Sequence, residues 1–297
     1  MRSSRKSRAA SLSVASNTLL TAGKLAAGIV TGSVGIIAEA LHSGIDLVAA
    51  LIAYFSVRIS DLPPDRDHPY GHGKAESIAG AIEALLIVVA AVWIVYEAID
   101  KLVHGAAVEM LGLAAGVMAV SAAANLAVSR YLLKVAREED SLALEADGQH
   151  LATDVYTSAG VACGMAAVWL SGWDWLDPLA ALAVAVLIGV IGIKLVRNAT
   201  QQLMDHGLPE AEQAAIRAIL EAEPRVLSWH RLLTRKAGSQ RYVIVHAVFP
   251  ADISLREAHA VTDALECRIA EQFAPAHVTI HQEIDGEEAC GDGQTSE

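Results

Sequence analysis

The sequence predicts a polytopic α-helical membrane protein of six transmembrane helices, followed by a C-terminal cytoplasmic α+β domain of order αββαβ. Three observations carry that prediction. Of the 297 residues, 54% are hydrophobic and only 19% charged, whereas an ordinary soluble domain is about a quarter charged. Six long apolar stretches fill the chain up to Arg197, and none follows it. Beyond residue 200 the balance turns acidic, with 16 Asp and Glu against 8 Lys and Arg over residues 201–297. The expected organisation is therefore a transport domain over 1–200, a cytoplasmic domain over 201–286, and an acidic tail over 287–297 with the composition of a disordered segment.

The apolar stretches run approximately over Leu12–Val30, Val34–Val57, Ile78–Ile99, Val108–Leu133, Leu142–Leu170 and Leu176–Leu195. Each reaches or approaches the roughly 20 residues a helix needs to cross a hydrocarbon core. Ala84–Val95 and Leu179–Ile191 carry no polar residue at all, whereas a buried helix of a soluble bundle keeps a polar face. The basic start MRSSRKSR followed by an apolar run has the outline of a secretory signal. Five further stretches and Lys24 within that run make it a signal-anchor and first span instead. With the N-terminus inside, twelve Lys and Arg fall in cytoplasmic segments and only Lys101 on the opposite side. Both termini are thus expected in the cytoplasm of a cell whose inner membrane holds the chain.

After the last span, Glu210–Glu221 has helical periodicity behind Pro209, a helix-start residue. Val226–Arg235 and Arg241–Phe249 read as strands around the turn AGSQ, Ser254–Phe273 as an amphipathic helix, and His277–Ile284 as a strand whose Val278, Ile280, Gln282 and Ile284 share a face. That order gives a small open-faced sandwich with helices on one side of the sheet. A formal net charge of −12 excludes nucleic acid as a partner, because phosphate attraction needs a basic face. Three scattered cysteines, Cys163, Cys267 and Cys290, form neither a disulfide framework nor a CxxC zinc motif. Cys163 and Cys267 are expected to pack inside their helices.

Ionisable residues inside a span are costly and mark ion pathways. The second stretch reads Glu39-x-x-His42-x-x-x-Asp46 and the fifth Asp147-x-x-His150-x-x-x-Asp154. Residues four apart share a helix face at about 6 Å, so each helix offers one imidazole and one carboxylate to a common point. Two such helices supply the four N/O ligands that tetrahedral zinc prefers, and two carboxylates cancel the charge of a divalent cation. The positions 39, 42 and 46 recur 108 residues later, and Asn17 recurs as Asn125. With three spans per half the copies run antiparallel, as in transporters built from inverted repeats around a midplane site. The alternative is a set of interhelical hydrogen-bonding residues, which one HxxxD would favour and two matched copies do not. Glu39 and Asp147 are read as groups that orient the ligands or close helix ends, and Lys24, Glu83 and Glu97 as pore-lining or snorkelling residues. No HExxH or GxSxG occurs, which sets an intramembrane metalloenzyme far behind.

On the paired HxxxD motifs, the six spans and the αββαβ domain, the chain resembles the cation diffusion facilitator family of divalent-metal/proton antiporters. The loop DRDHPYGHGKAE at 65–76 and the segment His281-Gln-Glu283 are similar to its bacterial zinc/iron-efflux branch. The resemblance spans about Leu12 to Glu283. It implies a ferredoxin- or metallochaperone-like cytoplasmic domain, a homodimer joined through it, and Zn2+ as substrate, with Cd2+ and Co2+ tolerated and Fe2+ or Mn2+ the alternative. It implies a peripheral metal site at Asp65, His68 and His72, three N/O donors in a Pro/Gly loop. It implies a charge interlock between Lys74 and Asp205, and a bound regulatory or structural zinc at His230, His246, His259, His281 and Glu283. Two positions depart from the branch. His42 stands where iron/zinc members carry Asp and zinc-selective members carry His, and Glu283 stands where Asp is usual. His206 and His277 match nothing in the pattern.

Overall fold

The computed structural model describes residues 5–31, 34–104, 112–173 and 175–286. The expected tail over 287–297, with Cys290, lies outside the described residues, as does the side chain of Glu39. The chain divides into two compact units, Met1–Leu203 and Met204–Glu297.

The first unit is six long helices: α1 (Arg5–Thr31), α2 (Val34–Ser60), α3 (Lys74–His104), α4 (Gly112–Glu139), α5 (Leu142–Ser171) and α6 (Leu176–Leu203). A helix is the form in which an apolar segment satisfies its own backbone groups where no water can. Side chains are distributed the reverse of a soluble protein. Leu19, Val30, Val92, Trp93, Val190 and Ile193 are exposed, while Ser13, Asn17, Ser121, Asn125, Ser129 and Thr153 are buried. The lipid face is thus apolar and the bundle interior carries the polarity. Three described segments are long and apolar enough to cross a membrane on composition alone, Ala40–Ser60, Lys74–His104 and Leu176–Leu203. Helices α1, α4 and α5 are diluted by the polar residues they turn inward.

Packing follows the internal repeat. Helix α1 lies along α2 as α4 lies along α5, while α3 pairs with α6, α1 with α4 and α2 with α5. The largest departure from the symmetry is that α5 packs on α3, whereas among the described residues α2 has no comparable contact with α6. Small residues permit the closest approaches. A Cβ on Gly192 of α6 would stand 2.8 Å from Val88 Cγ2 and 3.2 Å from the Val88 backbone nitrogen of α3.

The start of the bundle is tied by a buried carboxylate. Glu76, on the first turn of α3 and fully enclosed, accepts from Lys6 Nζ of α1 at 2.8 Å, from Ser60 Oγ of α2 at 2.7 Å, and from Ser141 Oγ. Ser141 is the N-cap of α5, its hydroxyl accepting the Leu144 N–H. Four helix ends therefore converge on one side chain. Burial works against the charge on Lys6, but Glu76 and Asp61 outweigh it and raise the lysine's pKa.

The second unit contains α7 (Glu210–Glu221), β1 (Ser228–Ala237), β2 (Gln240–Phe249), α8 (Leu255–Gln272) and β3 (Ala276–Ile284), the αββαβ order expected. The sheet runs β1-β2-β3, with β1 antiparallel and β3 parallel to β2. Gly238, at φ +61°, makes the tight β1–β2 turn. Val243, Val245, Ala247 and Phe249 of β2 pack with Ile280 against Ile216, Leu220, Val261, Leu265 and Ile269 of the two helices. A capping box at Ser254 and Glu257 starts α8, and the Ser254 hydroxyl holds the Glu257 carboxyl below its ordinary pKa. On β3, Ile280 is buried while Ile284, the last residue of the strand, is exposed. Cys163 and Cys267 are also exposed. In α8 the inward stripe is taken by Val261, Leu265 and Ile269, which leaves Cys267 on the outer face.

Candidate metal centre

Helices α2 and α5 bring the two HxxxD pairs together. Ligand atoms of His42, Asp46 and Asp154 lie within 4.8 Å of one another. His150 joins them through Nε2, 3.3 Å from Asp46 Oδ1 across the two helices. Asp46 and His150 are buried, Asp154 is half-buried and His42 is exposed. One wall of the group thus lies deep in the bundle and the other is open. Asn125 of α4 donates to Asp154 Oδ2 at 3.4 Å, which orients that carboxylate. The sequence marks Asn125 only as the repeat mate of Asn17; its role becomes visible when α4 packs on α5. Two carboxylates and two imidazoles in low-dielectric surroundings make an N/O set suited to a divalent cation of borderline softness.

Of the two roles expected for Lys24, pore-lining or snorkelling, the second does not hold: it is buried and donates to Ser43 Oγ at 2.8 Å, beside His42. Glu83 is fully buried on α3, so it lines no accessible surface. Glu97 is exposed and pairs with Lys101 at 3.1 Å.

The loop between α2 and α3 gathers Asp65, His68 and His72 into a second group within the same 4.8 Å limit. Asp65 Oδ1 accepts the backbone N–H groups of Asp67 and His68 at 3.0 and 2.7 Å, an Asx turn that pre-shapes the loop. Its other oxygen lies 3.3 Å from His72 Nε2, and the two imidazole rings stand 4.4 Å apart. The His68 N–H above all, with the Asp67 N–H and both imidazoles, holds the Asp65 carboxyl below its usual pKa despite some desolvation. An ionised carboxylate beside two imidazoles is the state a cation requires.

The third group lies on the open face of the sheet. Register sets His230, His246 and His281 side by side across β1, β2 and β3. Glu283 accepts from His246 Nδ1 at 2.6 Å, and its other oxygen lies 3.2 Å from His230 Nε2 without the alignment of a hydrogen bond. His281 Nε2 is 3.9 Å from Glu283. The longer glutamate arm still bridges the histidines. A bulge between His230 and Leu233, with Arg231 at φ +51°, follows His230. His259 is not drawn into this group; it is exposed on α8 with Asp263 3.4 Å away. Asp205 accepts from Arg235 at 3.2 Å, and Lys74 donates to the Leu203 carbonyl at 3.4 Å.

Known proteins resemble most of the chain. The family described as the cation efflux transmembrane domain matches residues 10–204, and that described as the cation efflux protein cytoplasmic domain matches residues 208–285. An uncharacterised transporter of Synechocystis is 37% identical over 88% of this chain and 84% of its own length. The cation-efflux pump FieF of Shewanella oneidensis is 33% identical over 91% of both chains. A solved structure of the candidate zinc transporter CzrB in its zinc form is 40% identical over 28% of this chain and 97% of that one, with a TM-score of 0.27.

Proposed function

This chain belongs to the cation efflux family, the cation diffusion facilitators, and from that premise we propose that it exports Zn2+ from the cytoplasm in exchange for protons. Members of the family are membrane transporters of metal cations rather than enzymes. One observation carries the finer reading: His42, Asp46, His150 and Asp154 converge from two helices of an inverted repeat. Zinc is favoured because half of that donor set is imidazole, which suits a borderline-soft ion better than Fe2+ or Mn2+; Cd2+ and Co2+ fit the same donors. Protons are the natural counter-ion, since a protonated imidazole cannot coordinate and histidine titrates at about 6.5. Rocking the two halves around the site would expose it to each side in turn.

The remaining assignments form part of the same proposal. The chain sits in the inner membrane with both termini in the cytoplasm, following its Lys and Arg distribution. It works as a homodimer joined through the second unit, with Lys74 and Asp205 as a charge interlock at the seam. Zinc held by His230, His246, His281 and Glu283 regulates or stabilises that assembly, and His259 stands apart from it beside Asp263. The loop group of Asp65, His68 and His72 binds zinc peripherally. The deciding experiment is a panel of Zn2+, Cd2+, Co2+, Fe2+ and Mn2+ in reconstituted vesicles, with and without an imposed pH difference. Zinc flux should respond to the pH difference, and Asp46→Asn should abolish it. Zinc movement indifferent to pH would exclude proton exchange, and a panel led by Mn2+ or Fe2+ would exclude zinc as the substrate.

A further inference from the structure

The bundle holds a pair of acids that the four-residue group does not use. Glu83 lies about two and a half turns into α3, a helix that contributes no ligand to that group. It is 0% exposed, and neither carboxyl oxygen finds a hydrogen-bond partner among the described residues. Asp147 of α5 is 1% exposed, and among the described residues only the Ser13 hydroxyl comes near its carboxyl, without the geometry of a firm hydrogen bond. The two carboxyl groups act on one another electrostatically, across the α3–α5 contact that breaks the symmetry of the repeat. Asp147 stands one turn ahead of His150, and its other neighbours are Asp46 of α2 and Ser13 of α1. Glu83 is therefore linked to the metal group through a single intervening carboxyl.

The other charged groups on the elements around Glu83 are engaged or turned away. Glu76, on the same helix, is held by Lys6, Ser60 and Ser141. Lys194 and Arg197 of α6 are exposed on the outside of the bundle. Lys24 of α1 donates to Ser43. Two buried carboxylates that act on one another, with only the Ser13 hydroxyl near Asp147 and no donor to Glu83, cannot both stay ionised, because desolvation and mutual repulsion both oppose the charge. A proton on one of them resolves both costs. A divalent cation arriving at the neighbouring ligands reverses the balance, since its positive potential favours the ionised acid.

We propose that Glu83, facing Asp147, is a proton-binding site separate from the metal ligands, which gives up its proton when a divalent cation occupies His42, Asp46, His150 and Asp154. The O–H bond of the Glu83 carboxyl breaks on loading, the electron pair stays on the carboxylate, and the proton passes to solution. When the cation leaves, a proton returns and the acid is neutral again. This deepens the exchange reading by placing one of the exchanged protons. It rests on the four residues binding the cation, and not on the direction of flux.

The test counts protons released per zinc bound, by calorimetric titration of the full-length purified protein in buffers of different ionisation enthalpy. Glu83→Gln keeps the shape of the side chain and removes its proton. It should release about one proton fewer per zinc than the parent, and its log affinity should lose about one unit of slope against pH. Protons displaced at the loop and sheet groups are common to both proteins and cancel in the difference. In an Asp46→Asn background, where the transport group is broken, the difference made by Glu83→Gln should vanish. Glu83→Asp should restore the parental count. An unchanged count in Glu83→Gln would overturn the proposal. If Glu83→Gln fails to fold, a Glu83→Asp protein that binds zinc yet releases one proton fewer would overturn it equally. Vesicles whose zinc movement ignores pH would defeat the exchange reading while leaving this count intact.

Discussion

Two side chains outside the ligand set govern how firmly the site and the bundle are held. Asn125 donates to Asp154 Oδ2, and partners that orient a ligand are commonly worth about 10–100-fold in metal affinity. Asn125→Ala should weaken zinc binding by that order while leaving the fold intact, as measured by competition with a zinc indicator; unchanged affinity would mean that Asp154 is oriented by something else. Glu76 offers a contrast, because its role is structural. Removing it leaves the buried Lys6 with Asp61 alone, 3.3 Å away, and takes an acceptor from the hydroxyls of Ser60 and Ser141. Breaking a buried pair from one side costs about 3–5 kcal/mol, whereas replacing both partners by apolar residues can be nearly neutral. Glu76→Ala should therefore lower the unfolding temperature in detergent sharply, and Lys6→Met with Glu76→Leu should recover most of the loss. A double variant as unstable as the single one would refute the ion-pair account.

At the scale of elements, the α3–α6 pair depends on one glycine more than another. At Gly192 a side chain would meet Val88 Cγ2 at 2.8 Å and its backbone nitrogen at 3.2 Å, whereas at Gly189 the nearest neighbour is Ala91 Cβ at 3.8 Å. Gly192→Val should cost about 1–3 kcal/mol by overpacking, and Gly189→Ala should change little; equal effects in thermal unfolding would show that the two helices can slide apart. The sequence announces such elements unevenly. The six apolar runs become six helices, and αββαβ appears in order, because period and length are local properties of the chain. The two HxxxD pairs that the bundle brings together are legible for the same reason, since HxxxD is a helix-face pattern repeated 108 residues apart. Glu76 and Glu83 are not. One closes a four-helix junction and the other faces an acid on a distant segment, and neither relation leaves a periodic trace. The isolation of His259 beside Asp263 is equally a matter of where α8 turns its faces.

The whole molecule adds a thermodynamic constraint that no single residue contains. If protons and zinc compete for His42, Asp46, His150 and Asp154, the ligands are freest on the alkaline side of a membrane and most protonated on the acidic side. Zinc is then captured from the alkaline side and expelled on the acidic side. This is export wherever the cell exterior is the more acidic compartment. Each pH unit is worth about 1.4 kcal/mol per proton exchanged, enough for about a tenfold zinc ratio per proton at zero membrane potential. Vesicles with an acidic interior should accumulate zinc, and vesicles with an alkaline interior should lose it, with the potential clamped and an enclosed zinc indicator as the readout. Mixed insertion does not blur the sign, because an exchanger runs down its combined gradient whichever way it faces. Zinc that entered acidic and alkaline vesicles alike, following only its own concentration, would identify the four-residue group as a passive binding site with no proton coupled to its emptying.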